Sequence, residues 1–485
     1  MSETLAPRRP LVMLAVMAAM FMIAIEATIV STAMPQIAGE LGDLHLYSWV
    51  FAAFLLAQTS TTMVFGKLSD MFGRKPVLLV GVAIFLVGSV LCGLAWSMPS
   101  LIGFRLIQGV GAGAIQPIAL TIVGDLYPGR ERGRVQGYLS SVWGISSVLG
   151  PLAGGLIIQH LSWAWVFWIN VPVGLLTVAG FTLFLQERVG HATRHVDVAG
   201  AALFTVAVAA LMTALTELGQ SGSAVASALA VCALSTLLFV WQERRAADPM
   251  VAFGLWGRRL VASANSATLL SGGAIIGLSA FLPMYVQGVL NRSALVAGFT
   301  LTAMSFGWPV GAMIAARIFP RVGLRATLMS GAVLLTLGGL LILLLRPGAS
   351  PLLAGVGSLI MGLGMGLSST SSIVLIQTSV GWAERGAATA SNVFSRNLGS
   401  TFGAAIMGGV LNASLARQST GGGVVGFDDI RHLLEQPGRT LADAAVQGAL
   451  AQSMHVTFWA MFLLTISAFA VANLVPRVAL ERQSA

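Results

Sequence analysis

Few residues of this 485-residue chain could do chemistry, and one of them stands apart. Glu26 lies in FMIAIEATIVSTAMP, Phe21 to Pro35, a stretch otherwise fit for the middle of an apolar helix. No Lys or Arg falls within a helical turn of it. If the helix starts near residue 11, Glu26 is roughly 22 Å along it at ~1.5 Å per residue. That is at or slightly past the middle of a hydrocarbon core about 30 Å thick. An ionised carboxylate there costs on the order of several kcal/mol, so it must be protonated, hydrated or paired. Such a group is suited to taking a proton from one side and releasing it to the other.

The other acids compete poorly. Glu217, in TALTELGQSG, reads as interfacial at the outer end of a span. Asp70 and Asp125 fall at cytoplasmic helix ends, and Glu187, Asp197, Glu243 and Asp248 in loops. Arg105, in RLIQGVGAGAIQP, is a second membrane charge, read as functional, with an interfacial snorkelling side chain as the alternative. Enzyme chemistry finds no cluster. His160 and His455 sit near span ends, while His191 and His195 are four apart with no third ligand. The two cysteines, Cys92 and Cys232, lie inside apolar spans. A phosphate loop of the form G-x-x-x-x-G-K-[ST] is absent from the sequence, so an ion gradient must supply any transport energy. No cofactor or metal is implied, and no enzyme.

These residues must be positioned by membrane helices. Hydrophobic residues make up 56% of the chain and charged ones 9%, against roughly 25% charged in a soluble domain. Mean hydropathy is +0.85. The class is an all-α polytopic membrane protein. Fourteen spans are expected, near 11–38, 46–68, 76–96, 100–124, 134–160, 163–186, 197–217, 223–242, 260–289, 295–316, 326–346, 351–378, 388–413 and 454–475. With the N-terminus inside, cytoplasmic segments hold twenty of the 27 basic residues and outside segments five. That asymmetry fits the positive-inside rule and places both termini in the cytoplasm. The net charge of +9 is therefore topology charge and not a nucleic-acid surface. Arg8 and Arg9 precede an apolar run too long for a cleavable signal, so it reads as a first membrane helix. The one sizeable soluble segment is an outside loop at about 414–452, with STGGGVVG as a flexible linker.

Two halves resemble each other. GRERGRVQGYLSSVWGISSVLGPLAGG at 129–155 pairs with GWAERGAATASNVFSRNLGSTFGAAIMGG at 381–409, each opening on E-R-G and closing on a Gly pair. GKLSDMFGRKP at 66–76 has a degraded partner in ARIFPRVGLRA at 316–326. Both offsets are about 250 residues, as in a duplicated transporter with its substrate site between the halves. The spans then divide into a six-helix bundle at 1–190, two additional helices at 191–258, and a second six-helix bundle at 259–485.

Five motifs stand out. The first is GKLSDMFGRKPVL, a tight turn between spans two and three, in which Gly66 and Gly73 allow close approach and unusual backbone angles. Asp70, Arg74 and Lys75 are placed to meet neighbouring helix ends, with Asp125 and Arg130 as partners. The second is RLIQGVGAGAIQP, with Arg105, Gln108, Gly109 and Gly111. The third is SSVLGPLAGG, where Gly150 and Pro151 bend the helix and Gly154 and Gly155 admit a neighbour. WAWVFWINVPVG follows from Trp163, and EATIVSTAMP holds Glu26.

Together these resemble the major facilitator superfamily, and its fourteen-helix drug:proton antiporter branch in particular. G-x-x-x-D-x-x-G-R-K is that superfamily's signature in this position. The G-P-x-x-G-G pattern resembles the antiporter motif of drug exporters, with Ser146 here in place of a further Gly. The branch's first-helix pattern D-x-T-I-V-N-x-A-L-P appears with Glu26 for Asp and Ser31 for Asn, and its Arg between two tryptophans is Ala164. LPMYVQGVLNRSALVAG, Leu282 to Gly298, also matches.

The resemblance implies a role in proton transfer for Arg105, so proton coupling is expected to involve both Glu26 and Arg105. It implies a cytoplasmic gate at Gly66, Asp70, Gly73, Arg74, Lys75, Asp125 and Arg130. The expected function is proton-coupled export of lipophilic, often cationic, drugs by alternating access; the alternative is export of a lipid or lipid-like metabolite. Glu26, Gln108, Met284, Tyr285, Gln287 and Trp308 are the expected cavity residues. The expected partners are a small substrate, protons and membrane lipids, not nucleic acid. The chain is expected to be monomeric, in the bacterial inner membrane.

Overall fold

The computed structural model describes residues 9–42, 46–127, 129–187, 197–216, 222–246, 253–419 and 441–476. Regular structure among them is helical throughout. The reason is physical: in hydrocarbon each backbone N–H and C=O must be satisfied within its own segment.

In chain order the helices are α1 (Arg9–Leu41), α2 (Tyr47–Phe72), α3 (Arg74–Gly93), α4 (Met98–Leu126), α5 (Gly129–His160), α6 (Trp165–Trp168), α7 (Asn170–Phe184) and α8 (Val198–Thr216). They continue as α9 (Gly222–Glu243), α10 (Phe253–Trp256), α11 (Arg259–Gly288), α12 (Ala294–Val322), α13 (Leu324–Leu343), α14 (Pro351–Ser379), α15 (Arg385–Ser419) and α16 (Leu441–Ala472). A single 3₁₀ turn, Trp382–Glu384, precedes α15.

Thirteen helical segments among the described residues are long and apolar enough to cross a membrane, with α6 and α7 forming one of them. The seventh expected span, 197–217, falls on α8, whose apolar stretch Val198–Leu211 is shorter than the rest. The segment between the last two spans is also shorter than the 414–452 read from the sequence. Helix α15 runs on to Ser419, and α16 begins at Leu441, where the Ala- and Leu-rich run LADAAVQGALAQSM favours helix despite Gly448. Residues 420–440 lie outside the described residues.

Packing divides the chain into two compact units. One comprises Met1–Ala214, Ser223–Val261 and Ile376–Phe394; the other comprises Leu215–Gly222, Ala262–Leu375 and Ser395–Ala485. In the first unit α1, α3, α4 and α7 enclose a core that includes Val16, Ile23, Phe85, Ile115 and Phe181. A second cluster in this unit joins Met34, Val166 and Phe167. Helices α8 and α9 pair through Phe204 on Phe239 (5.5 Å) and Gln242 donating to Asp197 (3.0 Å). In the second unit the core is formed by Leu282, Tyr285, Met361, Phe458 and their neighbours.

The same local geometry appears in both units. A single glycine separates α2 from α3 and α12 from α13: Gly73 has φ 95° and Gly323 has φ 92°, angles that a side chain would strain. Gly81 and Gly88 of α3 press against Gly111 and Gln108 of α4, as Gly331 and Gly338 of α13 do against Gly364 and Met361 of α14. The paired positions are about 250 residues apart, the spacing read from the sequence repeat.

Candidate functional site

Glu26 sits on α1 with no exposure to solvent. Its Oε1 accepts a hydrogen bond from Arg105 Nη1 on α4, and its Oε2 accepts from Asn170 Nδ2 on α7. The network closes on itself. Arg105 Nη1 also donates to Gln108 Oε1 at 2.7 Å, Gln108 Nε2 donates to Ser89 Oγ at 2.7 Å, and Asn170 Nδ2 reaches that same Oγ at 3.3 Å. Four helices, α1, α3, α4 and α7, each supply part of the ring.

Local structure explains how Arg105 arrives there. Ser97 and Ser100 form a reciprocal capping box that fixes the start of α4, and Arg105 follows about two turns later. Its Nε donates to Val50 O at 3.2 Å, and its guanidinium lies 4.3 Å from the Phe54 ring centroid. The side chain is 2% exposed, so it turns inward instead of snorkelling. Both members of the ion pair are thus out of water, where each is costly alone and tolerable only with the other. Among the described polar atoms of the ring, Asn170 Oδ1 has no donor.

A second charged cluster lies where α2 ends and α3 begins. Asp70 accepts from the backbone N–H groups of Gly386 (2.9 Å) and Ala387 (2.7 Å), the free donors at the start of α15. A carboxylate is favoured at a helix N-terminus. Arg74 pairs with Asp70 at 2.8 Å and Asp125 at 3.1 Å, donates to Trp382 O at 2.7 Å, and stacks 4.0 Å from the Trp382 ring centroid. Arg385 closes on Asp125 from the other side. Gly66 permits this approach, since a Cβ there would meet Ala390 Cβ and lie 3.1 Å from Gly386 O. Lys75 Nζ donates to Thr182 O (3.0 Å) and Leu185 O (2.8 Å). The side chain of Arg130 lies outside the described residues.

On α5, a Cβ at Gly150 would run into Thr28 Oγ1 of α1, and one at Gly154 would lie 3.2 Å from Thr32. Thr28 Oγ1 donates to Ser146 O at 3.1 Å, tying the helices at this point. Gly155 faces open space, so only one member of the glycine pair admits α1. The Pro151 side chain lies outside the described residues.

The expected cavity residues are dispersed. Gln108 is fully buried inside the Glu26 ring. Tyr285 is 1% exposed and packs on Phe458 at 5.3 Å, a core position and not a cavity-lining one. The cause is an aromatic pair between α11 and α16. Met284 and Trp308 pack at the edge of that same core, and Gln287 donates to Pro283 O at 3.4 Å.

Sequence reasoning missed Asn170, though a lone amide inside FWINVPVG was its signal. It missed Ser89, for which a serine in an apolar helix is too weak a signal. It also set Glu187 aside as a loop acid. Its carboxylate in fact caps α3, accepting from the backbone N–H groups of Arg74 and Lys75 at 2.8 Å each.

Helices of membrane-crossing length around a buried ion pair fit a membrane transporter, and the comparisons agree. The sequence profile of the Major Facilitator Superfamily matches residues 16–404. Multidrug resistance protein 3 of Bacillus subtilis (strain 168) is 34% identical over 471 residues, covering 94% of this chain and 92% of that protein. Multidrug transporter protein MdtP of the same organism is 34% identical over 410 residues, covering 84% and 76%. Among solved structures, the human organic anion transporter MFSD10 (TETRAN) matches with a TM-score of 0.64 at 17% identity, covering 95% of this chain and 99% of that one. The chain belongs to the major facilitator superfamily, a family of multi-pass membrane transporters and not of enzymes.

Proposed function

We propose that this protein is a proton-coupled antiporter that exports lipophilic, often cationic, compounds by alternating access. Its setting is the bacterial inner membrane, where it works as a monomer in contact with lipid. The reading takes α8 as a seventh span, giving fourteen, with both termini in the cytoplasm. The bundles are 1–190 and 259–485, with 191–258 as an added pair of helices.

The observation that carries the reading is the Glu26–Arg105 pair. Protonating Glu26 removes the negative partner and leaves Arg105 buried and uncompensated. Breaking a buried pair in this way costs about 3–5 kcal/mol. A shift of that size moves a two-state equilibrium by roughly two to four orders of magnitude. It exceeds the ~2.3 kcal/mol that a charge gains across 100 mV, so one proton suffices to bias the bundle between its two faces. A cationic substrate competes with the proton for the same carboxylate. The Asp70–Arg74–Asp125–Arg385 cluster serves as the cytoplasmic gate, holding the α15 N-terminus while the cytoplasmic side is shut. Gly150 and Gly154 hold α5 on α1 beside the proton site. The names of the Bacillus subtilis relatives support drugs as the cargo.

The test is purified protein in liposomes with an imposed pH gradient and tetraphenylphosphonium as probe. Gradient-driven accumulation by wild type supports the reading. Accumulation that ignores the gradient overturns it.

A further inference from the structure

Arg105 and Arg396 are both placed deep in membrane-crossing helices, and their surroundings differ. Arg105 has three acceptors, Glu26, Gln108 and the Val50 carbonyl. Arg396 lies on α15, about 17 Å from the start of that helix at ~1.5 Å per residue. That is near the middle of the crossing segment Trp382–Leu415. Its side chain is partly buried, yet among the described residues it makes no hydrogen bond, ion pair or ring contact. The sequence offers no remedy within its own unit's spans: residues 262–375 and 395–427 contain no Asp or Glu.

An unpaired guanidinium at this depth is expensive, and both ends of the span lie beyond the reach of its side chain. The backbone holds it in place. A Cβ at Gly272 would lie 2.7 Å from Arg396 O and 3.4 Å from its Cγ, so α11 flanks the base of the side chain. The next residue, Asn397, has a buried Nδ2 with no acceptor. Two consecutive residues of α15 therefore present donors and nothing to receive them.

We propose that Arg396 binds the anionic head of a lipophilic molecule: a carboxylate, sulfonate or phosphate. The planar guanidinium matches such groups with two parallel hydrogen bonds. The anion comes from a transported compound or from a membrane phospholipid. The proposal widens the cargo class beyond cations. It rests on the transporter reading for why a lipophilic anion enters the bundle, and it is independent of proton coupling.

The experiment uses the full-length protein in phosphatidylcholine nanodiscs with no gradient, so a failure of coupling leaves it unaffected. Binding of 1-pyrenesulfonate and of tetraphenylphosphonium is measured for wild type, R396Q and R396K. R396Q is expected to weaken pyrenesulfonate binding about tenfold or more, with R396K between it and wild type. Tetraphenylphosphonium binding stays within about twofold, the size of a charge effect at a distant, screened site. Repeating the titration with phosphatidylglycerol present separates the sources. An unchanged wild-type affinity points to a transported anion, and an affinity lost only when Arg396 is present points to a lipid headgroup. Either result supports an anion site. Wild-type-like pyrenesulfonate binding by R396Q overturns the proposal, as does absence of saturable binding to wild type. Equal loss of both probes in R396Q and R396K also overturns it, by assigning Arg396 a purely structural role.

Discussion

Glu26 and Arg105, 79 residues apart in sequence, form a fully buried ion pair between α1 and α4. Neither side chain can leave the pair without stranding the other in a low-dielectric interior. Arg105→Gln should therefore harm the protein more than a surface Arg change would. Loss of about 3–5 kcal/mol of stability is expected, read as a fall in detergent melting temperature. Combining it with Glu26→Gln should recover most of that loss, because both charges are then gone. A double variant no better than Arg105→Gln alone would contradict the pairing.

Asn170 donates to the second Glu26 oxygen. Asn170→Ala removes one charge-assisted hydrogen bond, worth about 1.5–3 kcal/mol. Gradient-driven transport should fall on the order of tenfold or more, while melting changes little beside Arg105→Gln. Asn170→Asp should be worse, since it sets a second carboxylate against the first. Initial rates in proteoliposomes give the ranking.

Asp70 holds the first amides of α15. Asp70→Asn keeps the shape and removes the charge. Hydrogen exchange at Gly386 and Ala387 should then speed up by roughly tenfold or more, a loss of about 1.5–3 kcal/mol in that contact. Unchanged protection at those two amides would show that the contact does not hold the helix end.

Gly150 and Gly155 are five residues apart on one helix and differ in surroundings. Gly150→Val drives a side chain into Thr28 and should cost about 1–3 kcal/mol, seen as a lower melting temperature. Gly155→Val meets open space and should stay within about 0.5 kcal/mol.

The helices were legible because hydrocarbon imposes one rule on each span, and that rule is written in composition. Glu26 was legible for the same reason, as an acid where none belongs. Its partner was not. Arg105 reads as functional with a snorkelling side chain as the alternative, and its inward course is set by acceptors on other helices, Glu26 and Val50 O, together with the Phe54 ring. Asn170 and Ser89 were hidden because one amide and one hydroxyl in apolar helices carry little signal until the helices meet. Glu187 looked like a loop charge because its role is to cap a helix more than a hundred residues away in sequence. Tyr285 was assigned to a cavity by type, whereas its position is set by Phe458, on a helix the sequence could not place beside it.

The central claim is that Glu26 carries the coupled proton, and proton release on substrate binding tests it most directly. Tetraphenylphosphonium is added to purified protein in weak buffer with a pH indicator. At a pH low enough to protonate Glu26, wild type should release roughly one proton per bound cation at saturation, because proton and cation compete for one carboxylate. Glu26→Gln should still bind the cation, more weakly, and release none. Release by the Glu26→Gln variant equal to that of wild type would contradict the account.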